Sequence, residues 1–364
     1  MAYKISGTIN DSARIIVINE ADWSVESYDV NAPTSFEALS LSSGTKTVIA
    51  RANSGEVLAV GDVSSVYYSA LGDRGIFAGE SSTTLYLNVI EYITISTTGN
   101  STDFGDLIYS AKNIAGSSNG GLDRGLFGGG GTTYPTVVNN INYITISVLS
   151  NASDFGDLST SRRDLAATSN GTNDRGVFAG GRSVADTPLA TIDYVTVSTT
   201  GNALSFGNLA SARSQPAGTS NAANNRGVFA GGTSQYYMDY INIASTGNAI
   251  YFGELTVSKI DTAGCSNGVN DRGVWGGGST GSNSDVIDHI TISSASNASD
   301  FGDLTIGRYN LAASSNGVAG RGTFAGGYST TAVIDYITIA TTGNATVFGN
   351  LTASKQGVAG TSNA

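Results

Sequence analysis

Hydrophobic positions in this chain come in short runs separated by Gly, Asn, Asp and Ser, and no run has helical spacing. The stretch 165–209 shows the unit. L-A-A-T-S-N-G (165–171) is a run of small residues that predicts a short strand, and N-D then turns the chain. R-G-V-F-A-G-G (175–181) predicts a second strand closed by two glycines. I-D-Y-V-T-V (192–197) alternates, with Ile192, Tyr194 and Thr196 on one face and Asp193, Val195 and Val197 on the other. S-T-T-G-N (198–202) is a turn, and A-L-S-F-G-N-L (203–209) is a fourth strand. Gly and β-branched residues are too frequent for helices.

The unit repeats. The motif R-G-x-[FW] recurs at Arg74, Arg124, Arg175, Arg226, Arg272 and Arg321, an interval of about 50 residues that marks an array of equivalent supersecondary units. Four-stranded units at this period predict a β-propeller. The repeats resemble the kelch family over residues 65 to 364. The resemblance is carried by the glycine pairs Gly129–Gly130, Gly180–Gly181, Gly231–Gly232, Gly277–Gly278 and Gly326–Gly327. It is carried also by third-strand aromatics at Tyr92, Tyr143, Tyr194, Tyr240 and Tyr336. Phe104, Phe155, Phe206, Phe252, Phe301 and Phe348 stand at the kelch Trp position, followed by a basic residue at Lys112, Arg162, Arg213, Lys259, Arg308 or Lys355. Phe in place of Trp, and Gly79–Glu80 in place of the first glycine pair, depart from the family pattern. Crowding of neighbouring backbones, and positive φ at a strand's end, explain why two glycines close each second strand. The Phe of R-G-x-F is expected to fill the wedge between blades.

The ends of the array set the blade number. The last small-residue run, V-A-G-T-S-N-A (358–364), has no R-G-x-F strand after it, and the first R-G-I-F (74–77) has no well-matched run before it. Pairing the two gives six blades without a free edge. Using V-Y-Y-S-A-L-G (66–72) as a separate strand gives seven. Residues 1–63 fall outside the repeat and read as six or seven short strands, a small β-sandwich resembling Ig-like or carboxypeptidase-regulatory-like domains. Such a module is marginal as an independent core, so it is expected to dock on another body. The domains are therefore 1–63, an attachment module, and 64–364, the propeller.

Composition narrows the function. The chain has 364 residues, 40% hydrophobic and 13% charged, with 48 Gly and a net charge of -11. Nucleic acid and anionic membrane are disfavoured as partners, since both require basic surface. A single cysteine, Cys265, excludes an intrachain disulfide. No apolar run is long enough to span a membrane. M-A-Y-K-I-S-G-T-I lacks the apolar core of a secretory signal, which predicts a cytoplasmic protein or one released inside a particle by lysis.

Catalytic chemistry finds little purchase. His289, the only histidine, stands where other copies have Tyr and reads as a substituted core aromatic. The F-G-D-L carboxylates Asp106, Asp157 and Asp303, with Glu254, alternate with Asn208 and Asn350 and read as edge hydrogen bonding rather than a glycosidase pair. No cofactor is expected. Calcium at Asn173–Asp174 or Asn270–Asp271 would lack clustered D-x-D spacing. Asn151, Asn297 and Asn344 fit glycosylation sequons within a repeated turn.

The loops after the glycine pairs vary most, and they are rich in Tyr, Ser, Thr and Asn, the palette of adaptable recognition surfaces. Tyr86, Tyr134, Tyr236, Tyr237 and Tyr328 are the candidate anchors. D-R-G-x-F-x-G-G, I-D-Y-I-T-I and T-T-G-N-A-x-x-F-G-D-L are similar to kelch-like repeats in structural proteins of tailed bacteriophages, notably cyanophages. That resemblance implies a non-enzymatic virion protein, a tail fibre or tail-tip appendage, attached to other virion proteins by its N-terminal module and presenting a propeller face to a host surface glycan or protein. A capsid or tail decoration protein is the alternative, and a glycan-cleaving enzyme a distant third. Analogy with fibres adds a homo-oligomer such as a trimer.

Overall fold

In the computed structural model the chain divides into two compact units, Met1–Leu71 and Gly72–Ala364. The structure describes the strands within residues 5–62, and residues 73–364 except 82–85, 134, 234–235 and 329–330. Side chains at 5–62, 80 and 81 are not described. The first unit has strands Ile5–Ile9, Ala13–Asn19, Ser24–Val30, Thr34–Ala38, Lys46–Ala52 and Val57–Asp62. The first and fourth pair antiparallel, and the others form a four-stranded sheet in the order third, second, fifth, sixth. The segment 66–72, a candidate seventh-blade strand, lies outside the described residues.

The second unit is a six-bladed β-propeller. Each blade is a four-stranded antiparallel sheet. In blade 3 the strands run Ala166–Ser169, Arg175–Ala179, Thr191–Thr196 and Leu204–Asn208 from the axis outward. Blade 1 is built from both ends of the unit: Ala359–Ser362 is its innermost strand and pairs with Arg74–Ser81, as the repeat ends predicted. The expected Asn-Asp turn is a one-turn 3-10 helix, Gly171–Asn173 in blade 3, capped by Asp174 in the left-handed conformation. Among the described residues no helix is long and apolar enough to cross a membrane.

Blades meet backbone to backbone at three radii. On the innermost strands a Cβ at Gly116 would stand 2.4 Å from the Gly360 carbonyl oxygen of the neighbouring blade. At the end of the second strand, Gly180 and Gly181 have φ of +66° and +102°, and Gly181 N–H donates to the Arg213 carbonyl of the next blade at 3.0 Å. A Cβ on Gly180 would lie 2.7 Å from that same oxygen. On the outermost strand, Gly207 lies against the T-G-N turn of blade 4, with 2.2 Å between its would-be Cβ and the Gly247 oxygen. Here the next blade's turn continues the outer edge: Gly247 N–H donates to the Phe206 carbonyl and Ala249 N–H to that of Asn208. No outer strand of the ring is left as a bare edge, which removes the usual aggregation template. Blade 1 lacks the second glycine, and its second strand runs on to Ser81, paired with Tyr86.

Side chains fill the wedges between these backbone contacts. Phe178 is fully buried with blade 2 residues Leu126, Ile141 and Phe155 and with Val195 of its own blade. Trp275 does the same against blade 4 and donates from its indole nitrogen to the Ala217 carbonyl at 3.3 Å. Each R-G-x-F arginine whose third-strand neighbour is Tyr stacks on that ring at 4.5 to 4.6 Å. The same guanidinium reaches the next blade: Arg175 to the Ile243 carbonyl at 3.0 Å, Arg321 across the closure to Ile95 at 3.1 Å.

The basic residue after each F-G-x-L is buried and paired with the acid of the third strand. The pairs are Arg162–Asp193 (3.0 Å), Arg213–Asp239 (2.8 Å), Lys259–Asp288 (2.8 Å), Arg308–Asp335 (2.9 Å) and Lys355–Glu91 (3.1 Å). Burial pushes Arg162, Arg213 and Arg308 down, and Asp239 up, from their ordinary values, so desolvation opposes charges that each partner restores. Lys112 does not occupy this position, contrary to the sequence reading. The residue in register is Ala111, fully buried, and its third-strand partner is Asn142. Spacing alone put the motif's basic residue one place late. Tyr109 fills the hole, its hydroxyl donating to the Asn140 carbonyl at 3.2 Å. The equivalent carbonyls in blades 4 and 5 accept from Arg213 and Lys259.

Two stability predictions follow from these contacts. Gly207 and Gly201 share φ near +156° and +157°, yet nothing lies within 4 Å of a Cβ on Gly201. Gly207→Ala should therefore cost about 1–3 kcal/mol more than Gly201→Ala in chemical denaturation; equal costs would show that the blade contact is soft. Asp193→Ala leaves Arg162 buried without its partner and should cost about 3–5 kcal/mol. The triple change Thr160→Tyr, Arg162→Ala, Asp193→Asn copies blade 2 and should recover most of that loss.

Candidate binding site on the loop face

Second strands run from their arginine to their glycine pair, so the propeller has two unlike ends. One, the turn face, carries the 3-10 helices and T-G-N turns. There the asparagine after each innermost strand accepts from the arginine N–H five residues on, as Asn170 does from Arg175 at 2.7 Å. Its amide reaches the next blade, as Asn119 does to Asp174 at 2.9 Å. Asp174 also accepts from the Ser198 N–H at 3.0 Å and from its hydroxyl. The chain enters the propeller on this face, where Arg74 N–H donates to Asn363 at 3.0 Å. The other end, the loop face, carries the variable segments.

At the axis of the loop face the links into the innermost strands form a ring. Asn113, Asp164, Gln215, Asp261, Asn310 and Gly357 all have φ between 54° and 67°. Asn, Asp and Gly tolerate this left-handed turn best. Turned this way, each N–H donates to the carbonyl of the preceding ring residue, at 2.7 to 3.3 Å, and the sixth bond closes from Asn113 to Gly357. A cavity of about 80 Å³ at the ring is lined by Asp164, Pro216, Asp261 and Asn310 among others.

The ring's side chains are linked. Asn113 donates to Asp164, and Gln215 donates to Asp261 at 2.6 Å while accepting from Arg182 at 2.7 Å. Asp164 is held by Arg182 at 2.8 Å and by Arg163 at 3.4 Å. Burial pushes the Asp164 carboxyl up; Arg182, Arg163, Asn113 and Lys112 pull it the other way. Asp261 is pushed up to about 7 by burial and then by Asp164, against the Gln215 hydrogen bond and Arg182.

Beside the ring a cleft of about 220 Å³ is lined by Tyr86, Lys112, Asn113, Gly131, Thr136, Arg163, Asp164, Arg182 and Gln215. The Lys112 ammonium lies over the Tyr86 ring, 4.9 Å from its centre. In the ring of six, blade 6 stands opposite blade 3, and there Tyr309 and Tyr328 stack with centres 4.7 Å apart and planes at 23°. Tyr309 is the residue before Asn310, so this stack borders the axis as Arg163 does on its own side. In blade 4, exposed Tyr236 packs edge-on against Tyr237, which also touches Tyr251.

Four of the five candidate anchors are thus placed on the loop face: Tyr86 in the cleft, Tyr236 and Tyr237 on the blade 4 rim, Tyr328 in the stack. Tyr134 lies outside the described residues. Asp164, Gln215, Asp261 and Tyr309 escaped the sequence reading because they sit in links between units, and Arg182 because in its variable loop only tyrosines were singled out. The available signal was a polar or glycine residue two positions before each innermost strand.

The other candidates have structural partners. His289 packs edge-on against Phe301 at 5.7 Å, the arrangement of the Tyr–Phe pairs, with burial and then Arg272 pushing its imidazole down. The F-G-D-L carboxylates lie one per blade on outermost strands. The sequon side chains Asn151, Asn297 and Asn344 accept from the N–H groups of Asp106, Glu254 and Asp303 at 3.0 to 3.1 Å. Burial pushes the Cys265 thiol up to about 12. Among the described residues no group of three His, Cys, Asp or Glu is placed to hold a metal.

The raised Asp261 carboxyl makes stability pH-dependent. Its proton is held more tightly folded than unfolded, so its contribution is complete below about 3.9 and is lost as pH rises through about 7. The loss is at most about 4 kcal/mol. Asp261→Asn should raise the unfolding midpoint at pH 8 and leave it nearly unchanged at pH 4; an equal shift at both would remove the carboxyl as its source.

No family model matches the chain, and no curated protein is significantly similar to it.

Proposed function

We propose that this is a non-enzymatic binding protein whose propeller offers its loop face to a surface receptor or glycan. The observation that carries this reading is the division of labour between the faces. The repeated Asn, Asp, Ser and Arg side chains of the turn face are engaged in bonds within and between blades, as in Asn170 to Asn225, Ser198 to Asp174 and Arg175 to the Ile243 carbonyl. The loop face gathers the variable segments, two aromatic platforms with exposed rings at Tyr236 and Tyr328, and a polar cleft. Stacked or paired exposed tyrosines beside hydrogen-bonding side chains suit the apolar face and hydroxyls of a sugar, or a protein loop.

The similarity of the repeats to those of tailed-phage structural proteins extends the proposal to a virion appendage, a tail fibre or tail tip. Its N-terminal module, read as an Ig-like or carboxypeptidase-regulatory-like sandwich, would attach to other virion proteins.

Two measurements test the reading. Tyr328→Ala should weaken binding of the purified protein to host cells by roughly 30-fold, the effect of losing an aromatic anchor worth about 2 kcal/mol. Undiminished binding by both this variant and Tyr236→Ala would sink it. Imaging of the native particle should show the loop face pointing outward; a loop face buried against the capsid or tail would identify a decoration protein instead. Release of reducing ends from host polysaccharide would turn the assignment to an enzyme.

A further inference from the structure

The lysines and arginines of the propeller fall into three sets. Six are the R-G-x-F arginines that stitch neighbouring blades. Five, Arg162, Arg213, Lys259, Arg308 and Lys355, are buried against Asp or Glu. The remaining three, Lys112, Arg163 and Arg182, all line the one cleft beside the axial ring. In a chain of net charge -11, the cations not used to hold the fold together converge on a single spot.

They are not paired alike. Asp164 and Asp186 are the carboxylates within ion-pair distance of Arg163 and Arg182. Lys112 has no carboxylate partner among the described residues and rests on the face of Tyr86. Among the described residues Lys112 is thus the cation of the cleft left without an ion pair, beside two arginines held at its wall by Asp164 and Asp186. The rest of the lining is an aromatic ring, a hydroxyl at Thr136 and the amides of Asn113 and Gln215, groups that pair with sugar hydroxyls. Asp164 is itself buried and fixed by both arginines, so it holds their guanidinium groups in place at the wall.

We infer that the cleft between Lys112, Arg163 and Arg182 binds the anionic group of an acidic saccharide. This rests on the reading of the loop face as a binding surface and names its ligand class. Size and charge set the limit: a cavity of about 220 Å³ is smaller than a drug-sized site and takes one charged sugar unit. A nucleic acid would need an extended basic track, which the acidic propeller does not have. The shared chemistry is a carboxylate or sulfate ester meeting Lys and Arg donors in charge-assisted hydrogen bonds.

The test is titration calorimetry of the full chain with oligogalacturonate, dextran sulfate, neutral dextran and inorganic sulfate. The acidic saccharides should bind at least about tenfold tighter than neutral dextran, and the preference should fade near 1 M salt, where the Debye length is about 3 Å. The stronger of the two acidic arms identifies the carboxylate or the sulfate as the preferred group. Lys112→Gln removes a cation whose sole described side-chain contact is a ring face, so the fold should survive with its unfolding midpoint unchanged, and the acidic preference should fall about tenfold. Arg182→Gln should do the same, and its midpoint shows whether Asp164 has lost its support. Equal binding of acidic and neutral dextrans, or a preference untouched in Lys112→Gln, overturns the inference. So does binding of inorganic sulfate with no acidic saccharide, an adventitious ion only. If host-cell binding persists through Tyr328 while the acidic preference is absent, the loop-face reading stands and only the ligand class fails.

Discussion

Six equivalent sheets can close into a ring only if neighbouring backbones touch at fixed spacing, and in this propeller most of those contacts are made by residues without a side chain. Glycine occupies the point of contact at three radii, with Ala167 and Ala313 as the innermost exceptions. Gly116 meets the next innermost strand, Gly181 meets the carbonyl of Arg213, and Gly207 meets the T-G-N turn of blade 4. Any Cβ at these points would fall inside the van der Waals limit of a backbone oxygen. Close approach then lets backbone N–H and C=O groups of adjacent blades pair, so the joins are hydrogen-bonded as well as packed. Aromatic plugs such as Phe178 and Trp275 fill what the widening wedge leaves open.

The buried ion pairs add a lesson about what such a site requires. Five blades place a Lys or Arg against an acid, beneath the carbonyl of the R-G-x-F aromatic or of the third strand. Blade 2 replaces both charges, with Ala111 and Asn142, and sends the Tyr109 hydroxyl to the same third-strand carbonyl. What the position demands is a donor for a buried carbonyl and a filled volume. The charge is one way to meet that demand, and it carries a desolvation cost that the tyrosine avoids.

Because repeated residues hold the ring together, variation is confined to where they are absent. The turn face repeats its Asn, Asp, Ser and Arg bonds from blade to blade, with Asn225 and Gly320 as the exceptions to Asp. The loop face repeats only its backbone: six left-handed residues bonded in a circle, whose side chains vary among Asn, Asp, Gln and Gly. The same circle that seals the axis therefore offers six independently variable positions. This chain uses them for an arginine-braced carboxylate on one side and a tyrosine stack on the other.

Much of the architecture was readable in the sequence, because each strand, turn and glycine pair appears in repeated copies and local rules act on every copy alike. The six-bladed closure followed from the unmatched runs at 74–77 and 358–364, and the plugging role of the aromatic followed from its place beside glycine. The loop-face placement of the candidate anchors Tyr86, Tyr236, Tyr237 and Tyr328 was legible from their position after the glycine pairs. The partner of each buried base was not, since Arg162 and Asp193 are far apart in sequence and meet only across a folded sheet; a one-residue slip put Lys112 there in place of Ala111. Nor was the axial cleft. Lys112, Arg163, Arg182 and Gln215 come from links and loops of three successive blades. Only ring closure brings them together, because proximity around an axis is a property of the closed circle and not of any single repeat.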